Sequence, residues 1–252
     1  ELDKWFHSPR INIRYALSDH LKIKADAGVY NQFISQLTNV GADQIKVDNP
    51  LWIMNASGES LLQKANKIGV GFVYQKGKWL FDLDGYYNRT SNISTVAPQL
   101  GIITGFNGFS KGASNILGID LLLKKRWSSG INTWLSYSLG FAKYDFDEIS
   151  EATFFAPNDI RHNLNFVCSY KYKNFQLSLN ANYHSGLPYT QARLTLNEDD
   201  PDPEPPFLYF LTYESLNSER LDHYLRADFN IAYRFAFKPI KDSQIEISCS
   251  LL

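Results

Sequence analysis

His184 and Ser185 are adjacent, with aspartates elsewhere in the chain, and such a pairing could in principle serve hydrolysis. Nucleophilic or general acid–base work needs the base within hydrogen-bond reach of the nucleophile. Neighbouring residues on a strand point to opposite faces, so adjacency here gives no support for that reach. His7, His20, His162, His184 and His223 are scattered, without the spacing of a metal-ligand set. The run Glu198-Asp199-Asp200-Pro201-Asp202-Pro203-Glu204 offers carboxylates to a hard cation. An acidic, Pro-rich run reads first as a solvated, self-repelling loop. Cys168 and Cys249 each fall on the apolar parity of a strand, which suits small apolar residues better than a disulfide or metal pair. Asn55-Ala56-Ser57, Asn88-Arg89-Thr90 and Asn92-Ile93-Ser94 match the glycosylation acceptor pattern, a three-residue motif that recurs by chance and carries no function by itself. The chain is therefore expected to be no enzyme, with no catalytic residue, metal site or cofactor.

The elements that would position any site are strands. From Ser114 to Asp145, two arms flank Ser128-Ser129-Gly130. In the second arm Ile131, Thr133, Leu135, Tyr137, Leu139 and Phe141 share one parity, while Asn132, Trp134, Ser136, Ser138 and Gly140 share the other. Period-two alternation this long exceeds the usual ~5–6-residue soluble strand. It fits the ~9–11 residues that a tilted strand needs to cross a bilayer. The same pattern recurs from Ile11 to Ile247 and predicts about ten strands in all, making the chain all-β.

Short turns and long loops alternate strictly along the chain. Turns are expected at 18–20, 76–77, 128–130, 173–174 and about 238–242, and long irregular segments at 33–64, 89–113, 146–160 and 186–222. A transmembrane antiparallel up-and-down β-barrel has short periplasmic turns and long outer loops. Trp79, Trp127, Tyr172, Phe175, Phe235 and Phe237 lie near short turns, while Tyr30, Tyr87, Tyr144 and Tyr183 lie at the far strand ends. Two aromatic belts are what the two membrane interfaces select. Lys22, Lys24, Asp26, Asp82, Asp84, Asp120, Lys124, Arg226, Asp228, Arg234 and Glu246 share the inward parity. So polar an interior cannot close on itself as an apolar core, since unpaired buried charge is costly. The barrel is wide, or it encloses something else.

Lys and Arg number 25 against 26 Asp and Glu, so no charge excess points to nucleic acid. Aromatics make up 15% of residues, as suits surfaces that are apolar on one side and wet on the other. No run of ~18 apolar residues exists for a transmembrane helix. Glu1-Leu2-Asp3 reads as the interior of something longer.

Six pieces in order resemble TonB-dependent outer-membrane receptors. They are Pro9-Arg10-Ile11 through Ala25-Asp26-Ala27-Gly28; Lys64-Ala65-Asn66-Lys67-Ile68-Gly69 leading to Asp84-Gly85-Tyr86-Tyr87-Asn88-Arg89; Gly118-Ile119-Asp120-Leu121 with Trp134-Leu135-Ser136-Tyr137; Asn158-Asp159-Ile160-Arg161-His162-Asn163; Tyr183-His184-Ser185-Gly186-Leu187-Pro188-Tyr189; and Leu221-Asp222-His223-Tyr224-Leu225-Arg226. The family's barrel has ~22 strands around a plugged lumen. The resemblance implies that residues 1–252 are the C-terminal portion of such a barrel, without plug domain, early strands or final strand. It implies TonB-dependent active uptake of a scarce nutrient such as a metal chelate, vitamin, glycan or peptide. The implied partners are outer-membrane lipid, an inner-membrane energy-coupling complex acting through the plug, and surface or periplasmic proteins. The alternative is a small self-contained outer-membrane barrel, a passive pore or protease-like enzyme. Strand direction places Tyr86, Asn88, Asn182 and His184 high on the inner wall, with Trp52, Tyr189, Tyr209 and Tyr213 as loop aromatics above a ligand.

Overall fold

The computed structural model describes residues 5–36, 38–39, 52–54, 62–96, 109–196, 209–236 and 244–251. Its long strands are β1 (Arg10–Ala16), β2 (Leu21–Gln32), β3 (Gln63–Lys76), β4 (Trp79–Val96), β5 (Phe109–Arg126), β6 (Ile131–Asp145), β7 (His162–Tyr172), β8 (Phe175–His184), β9 (Tyr224–Ala236) and β10 (Gln244–Leu251). Each pairs antiparallel with the next, so one sheet follows chain order from β1 to β10. Among the described residues these two strands are its edges and do not pair with each other.

The register keeps the two faces apart across the sheet. One register line runs Leu21, Tyr74, Phe81, Leu123, Leu135, Phe166, Ala181, Ala227. Another, of opposite parity, runs Lys24, Gly71, Asp84, Asp120, Ser138, Asn163, His184, Tyr224. A one-residue slip between any two strands would turn apolar side chains onto the polar face. Among the described residues no protein layer covers the apolar face. Ile11, Val70, Leu117 and Phe229 are 57%, 61%, 58% and 42% exposed.

The fully buried apolar cluster lies instead at the loop end of the sheet. Ile93, Tyr144, Phe146, Phe154 and Ala156 form it, with Ala142, Ile149 and Leu216 packed against it.

Two expectations change. The segment expected to be irregular over 89–113 is largely strand, since β4 runs on to Val96 and β5 begins at Phe109. The stretch Arg89-Thr90-Ser91-Asn92 lacks apolar alternation, and the ladder shifts register between Ser91 and Ile93, where Asn92 takes a positive φ of 60°. The other long segments hold short strands of their own. Residues 34–36 pair with 52–54, 154–155 with 143–144, 188–189 with 219–220, and 192–196 with 209–213.

Candidate functional site

The polar face of β2 to β4 is built around glycines. The Lys24 ammonium sits 2.7 Å from a carboxylate oxygen of both Asp82 and Asp84. Gly71 makes this possible, because a Cβ there would collide with the Asp84 carboxylate and the Leu83 carbonyl. One step up the wall the Tyr86 phenol lies over Gly118, and a Cβ there would overlap the ring. The Asn88 Oδ1 is buried without a hydrogen-bond partner.

Beside Asn88 opens a cleft of about 660 Å³, lined by Tyr30, Gln32, Gln63, Lys67 and Thr90 among others. The Tyr30 ring holds the Arg10 guanidinium at 4.3 Å and the Lys67 ammonium at 5.2 Å from its centre. Among the described residues no Asp or Glu lines the cleft. An aromatic ring flanked by two cations, with amide side chains around it, suits an anionic ligand carrying hydrogen-bonding groups.

Asn182 and His184 lie on the same face, but β5, β6 and β7 separate them from Tyr86 and Asn88. At ~4.8 Å per strand that is roughly 19 Å along the wall. Asn182 stands between Asn165 and Arg226 in the ladder, and His184 stacks on Tyr224 with ring centres 4.8 Å apart. The four do not form one pocket. Ser185 Oγ accepts from the Arg161 and His162 amides at 2.9 and 3.1 Å, while His184 Nδ1 lies 2.9 Å from the Ser185 carbonyl oxygen. The serine hydroxyl thus belongs to the join between two strands.

Among the loop aromatics, Tyr189 lies in the pairing of 188–189 with 219–220, opposite Glu219. Tyr209 and Tyr213 lie in the hairpin of 192–196 with 209–213, opposite Leu196 and Ala192. Trp52 lies opposite Gln36 and is 60% exposed. Among the described residues no three His, Cys, Asp or Glu converge on a metal position, and Cys168 and Cys249 are free. The 198–204 run and Asn55 lie outside the described residues.

Sequence reasoning gave no role to the residues that join the loops. Asp159 is 2% exposed. Its Oδ1 accepts from the Ala142 amide at 2.6 Å, and its Oδ2 pairs closely with Arg220 and, at 3.7 Å, with Arg161. Arg220 also donates to the backbone carbonyls of Asp159 and Gly186, at 2.9 and 3.1 Å. Both arginines lie over the Phe155 ring. Asn217 donates to the Phe155 carbonyl at 2.7 Å. The described parts of the loops 146–161 and 185–223 are thereby latched together above the wall. No periodicity marks such residues; the only signal was an Asp and an Arg two positions apart in Asn158-Asp159-Ile160-Arg161.

At the turn end Trp79, Trp127, Tyr172, Phe175 and Phe235 share the apolar face. Phe237 lies outside the described residues. At the loop end Tyr87 and Tyr183 also share that face, opposite Leu117 and Leu164. Tyr30 and Tyr144 do not, which corrects the expected belt. Tyr30 has the polar parity, and Tyr144 is 9% exposed, edge-on to Phe146 and Phe154.

No curated protein matches the chain. The solved structure of Pseudomonas aeruginosa FpvA bound to heterologous pyoverdines is similar, with a TM-score of 0.55 and 11% identity over 90% of this chain and 26% of that one. So is the ferric yersiniabactin uptake receptor FyuA of Yersinia pestis, at 0.57 and 10% over 89% and 29%. This chain thus spans less than a third of the length of either. The family described as TonB dependent receptor-like, beta-barrel matches residues 2–248. The apolar face is therefore the lipid face and the polar one the lumen, and the chain belongs to the TonB-dependent receptor β-barrel family of the bacterial outer membrane.

Proposed function

We propose that residues 1–252 form the C-terminal portion of a ~22-strand receptor barrel. In the whole protein that barrel takes up a scarce nutrient across the outer membrane. Energy comes from an inner-membrane complex acting through a plug that occupies the lumen. The observation that carries this reading is the unbroken separation of faces from β1 to β9. It leaves a wall whose charged inner surface needs water or another domain to fill it.

The ligand is held high on the inner wall. Tyr86 and Asn88 supply one contact region, and Asn182 and His184 a second, roughly 19 Å away at ~4.8 Å per strand. A ligand reaching both is larger than a single sugar or amino acid. The cleft lined by Lys67 and Tyr30, with Arg10 over the Tyr30 ring, favours anionic ligands. FpvA is solved bound to pyoverdines and FyuA is a ferric yersiniabactin uptake receptor, which supports metal chelates as the first class to test. Trp52, Tyr189, Tyr209 and Tyr213 close over the ligand from the loops.

The test is uptake of labelled candidate nutrients by a deletion strain carrying the full-length gene or its Tyr86→Ala and Asn182→Ala variants. Wild type restores uptake of one class, and each variant weakens binding of that ligand. Unchanged binding and uptake in both variants removes this wall as the site. Uptake that persists without the inner-membrane energy source removes active transport.

A further inference from the structure

The turns joining β3 to β4, β5 to β6 and β7 to β8 lie at one end of the wall. Residues 75–80, 124–133 and 170–176 carry Lys76, Lys78, Lys124, Lys125, Arg126, Lys171 and Lys173, and no Asp or Glu. Among the described residues none of these cations is in an ion pair. Yet the chain as a whole carries a net charge of −1. Acids lie along the lumen wall and at the other end, where Asp147, Glu148, Glu151, Glu214, Glu219 and Asp222 are in the long loops; Asp19, in the turn joining β1 to β2, is an acid at the turn end. Short turns face the periplasm, so the uncompensated positive charge is on the periplasmic rim.

Part of this charge is held on the lipid face. Lys125 pairs with Trp79 in the ladder, and Lys76 with Trp79 on its other side. The Lys125 ammonium lies 3.8 Å from the centre of the Trp79 ring and 3.4 Å from that of Trp127. The two indoles are 6.4 Å apart. Trp127 is fixed by its indole N–H, which donates to Thr133 Oγ1 at 3.2 Å. Directly above on the same face are Phe81 and Leu123, where hydrocarbon begins. A cation is thus clamped at the depth where a phospholipid's phosphate meets its acyl chains.

We propose that Trp79, Lys125 and Trp127, with Lys76 and Lys78 beside them, form a headgroup site for an anionic phospholipid of the periplasmic leaflet. The phosphodiester sits against the ammonium groups, and the acyl chains follow Phe81 and Leu123. The indole pair keeps Lys125 in place, so the site exists before the lipid arrives.

The test uses the full-length receptor in detergent, titrated with phosphatidylglycerol and phosphatidylethanolamine and read by native mass spectrometry. Phosphatidylglycerol should be retained several-fold better. At ~1 kcal/mol per basic residue near an anionic surface, each lost charge weakens retention roughly fivefold. The K76Q/K78Q/K125Q variant should therefore lose the preference, and K125R should keep it. Boiling-dependent migration on gels shows that each variant still forms the barrel. Equal retention of the two lipids by wild type overturns the proposal, as does a triple variant that still prefers phosphatidylglycerol. Displacement of the lipid by millimolar inorganic phosphate would make this a free-anion site. Displacement by a soluble poly-glutamate peptide would make the rim a docking surface for an acidic protein. Either result overturns the lipid assignment.

Discussion

Asp159→Ala should unlatch the two long loops and leave the wall intact. The Asp159 carboxylate is buried and serves three partners from three segments: the Ala142 amide of β6, Arg161 at the foot of β7, and Arg220 from the far side of the 185–223 loop. Alanine leaves the Ala142 N–H without an acceptor, at about 1–3 kcal/mol. It also strips a mostly buried arginine of its counter-ion. Arg220 keeps its two carbonyl acceptors, which limits the loss. Breaking a buried pair from one side costs about 3–5 kcal/mol, and the lower half of that range applies here because the Arg220 side chain is 25% exposed. Asp159→Asn keeps an acceptor for Ala142 and loses only the charge, so about 1–2 kcal/mol is expected. Hydrogen–deuterium exchange on the full-length receptor reads the result. At ~1.4 kcal/mol per decade, 3 kcal/mol accelerates exchange by roughly a hundredfold. The acceleration should be confined to peptides within 146–161 and 185–223. Protection unchanged in both loops would refute the latch. Equal acceleration throughout β5 to β8 would show that Asp159 supports the wall itself.

Glycines on the two faces of the wall give a paired test. Gly118→Ala drives a methyl into the Tyr86 ring and should lower barrel stability by about 1–3 kcal/mol, whereas Gly85→Ala, on the lipid face with only the Val70 carbonyl at 3.9 Å, should be near neutral. Gel-migration midpoints on heating distinguish them. Ile119→Arg, on the lipid face of β5, should cost about 2–4 kcal/mol in a bilayer if it lies near the midplane. A neutral result in liposome folding would contradict the lipid assignment. Lys24→Gln leaves Asp82 and Asp84 close together without their shared cation. These side chains are 25–39% exposed, so solvent screening holds the loss to about 1 kcal/mol, readable as a lower unfolding midpoint that Lys24→Arg largely restores.

How much of this was legible depends on whether the deciding interaction is local. Strand parity is local, because successive side chains on a strand alternate by covalent geometry alone. Alternation therefore placed Leu135, Phe166 and Phe229 on one face and Lys24, Asp84 and His184 on the other, before any pairing was known. The short turns and long loops located the two ends of the wall. The sequence could not show how far β4 and β5 extend past the membrane, because Arg89 to Val96 holds its ladder mainly with small polar residues that carry no apolar period. Tyr87 and Tyr30 both end a strand, and parity alone separates them: Tyr30 falls with Lys24 and Asp26 on the inward side, where Arg10 and Lys67 approach its ring. Asp159 and Arg220 are 61 positions apart in loops without periodicity. Their pairing exists only because the sheet brings the loop ends of β6 through β9 into one row. That proximity belongs to the tertiary structure, and no stretch of the chain contains it.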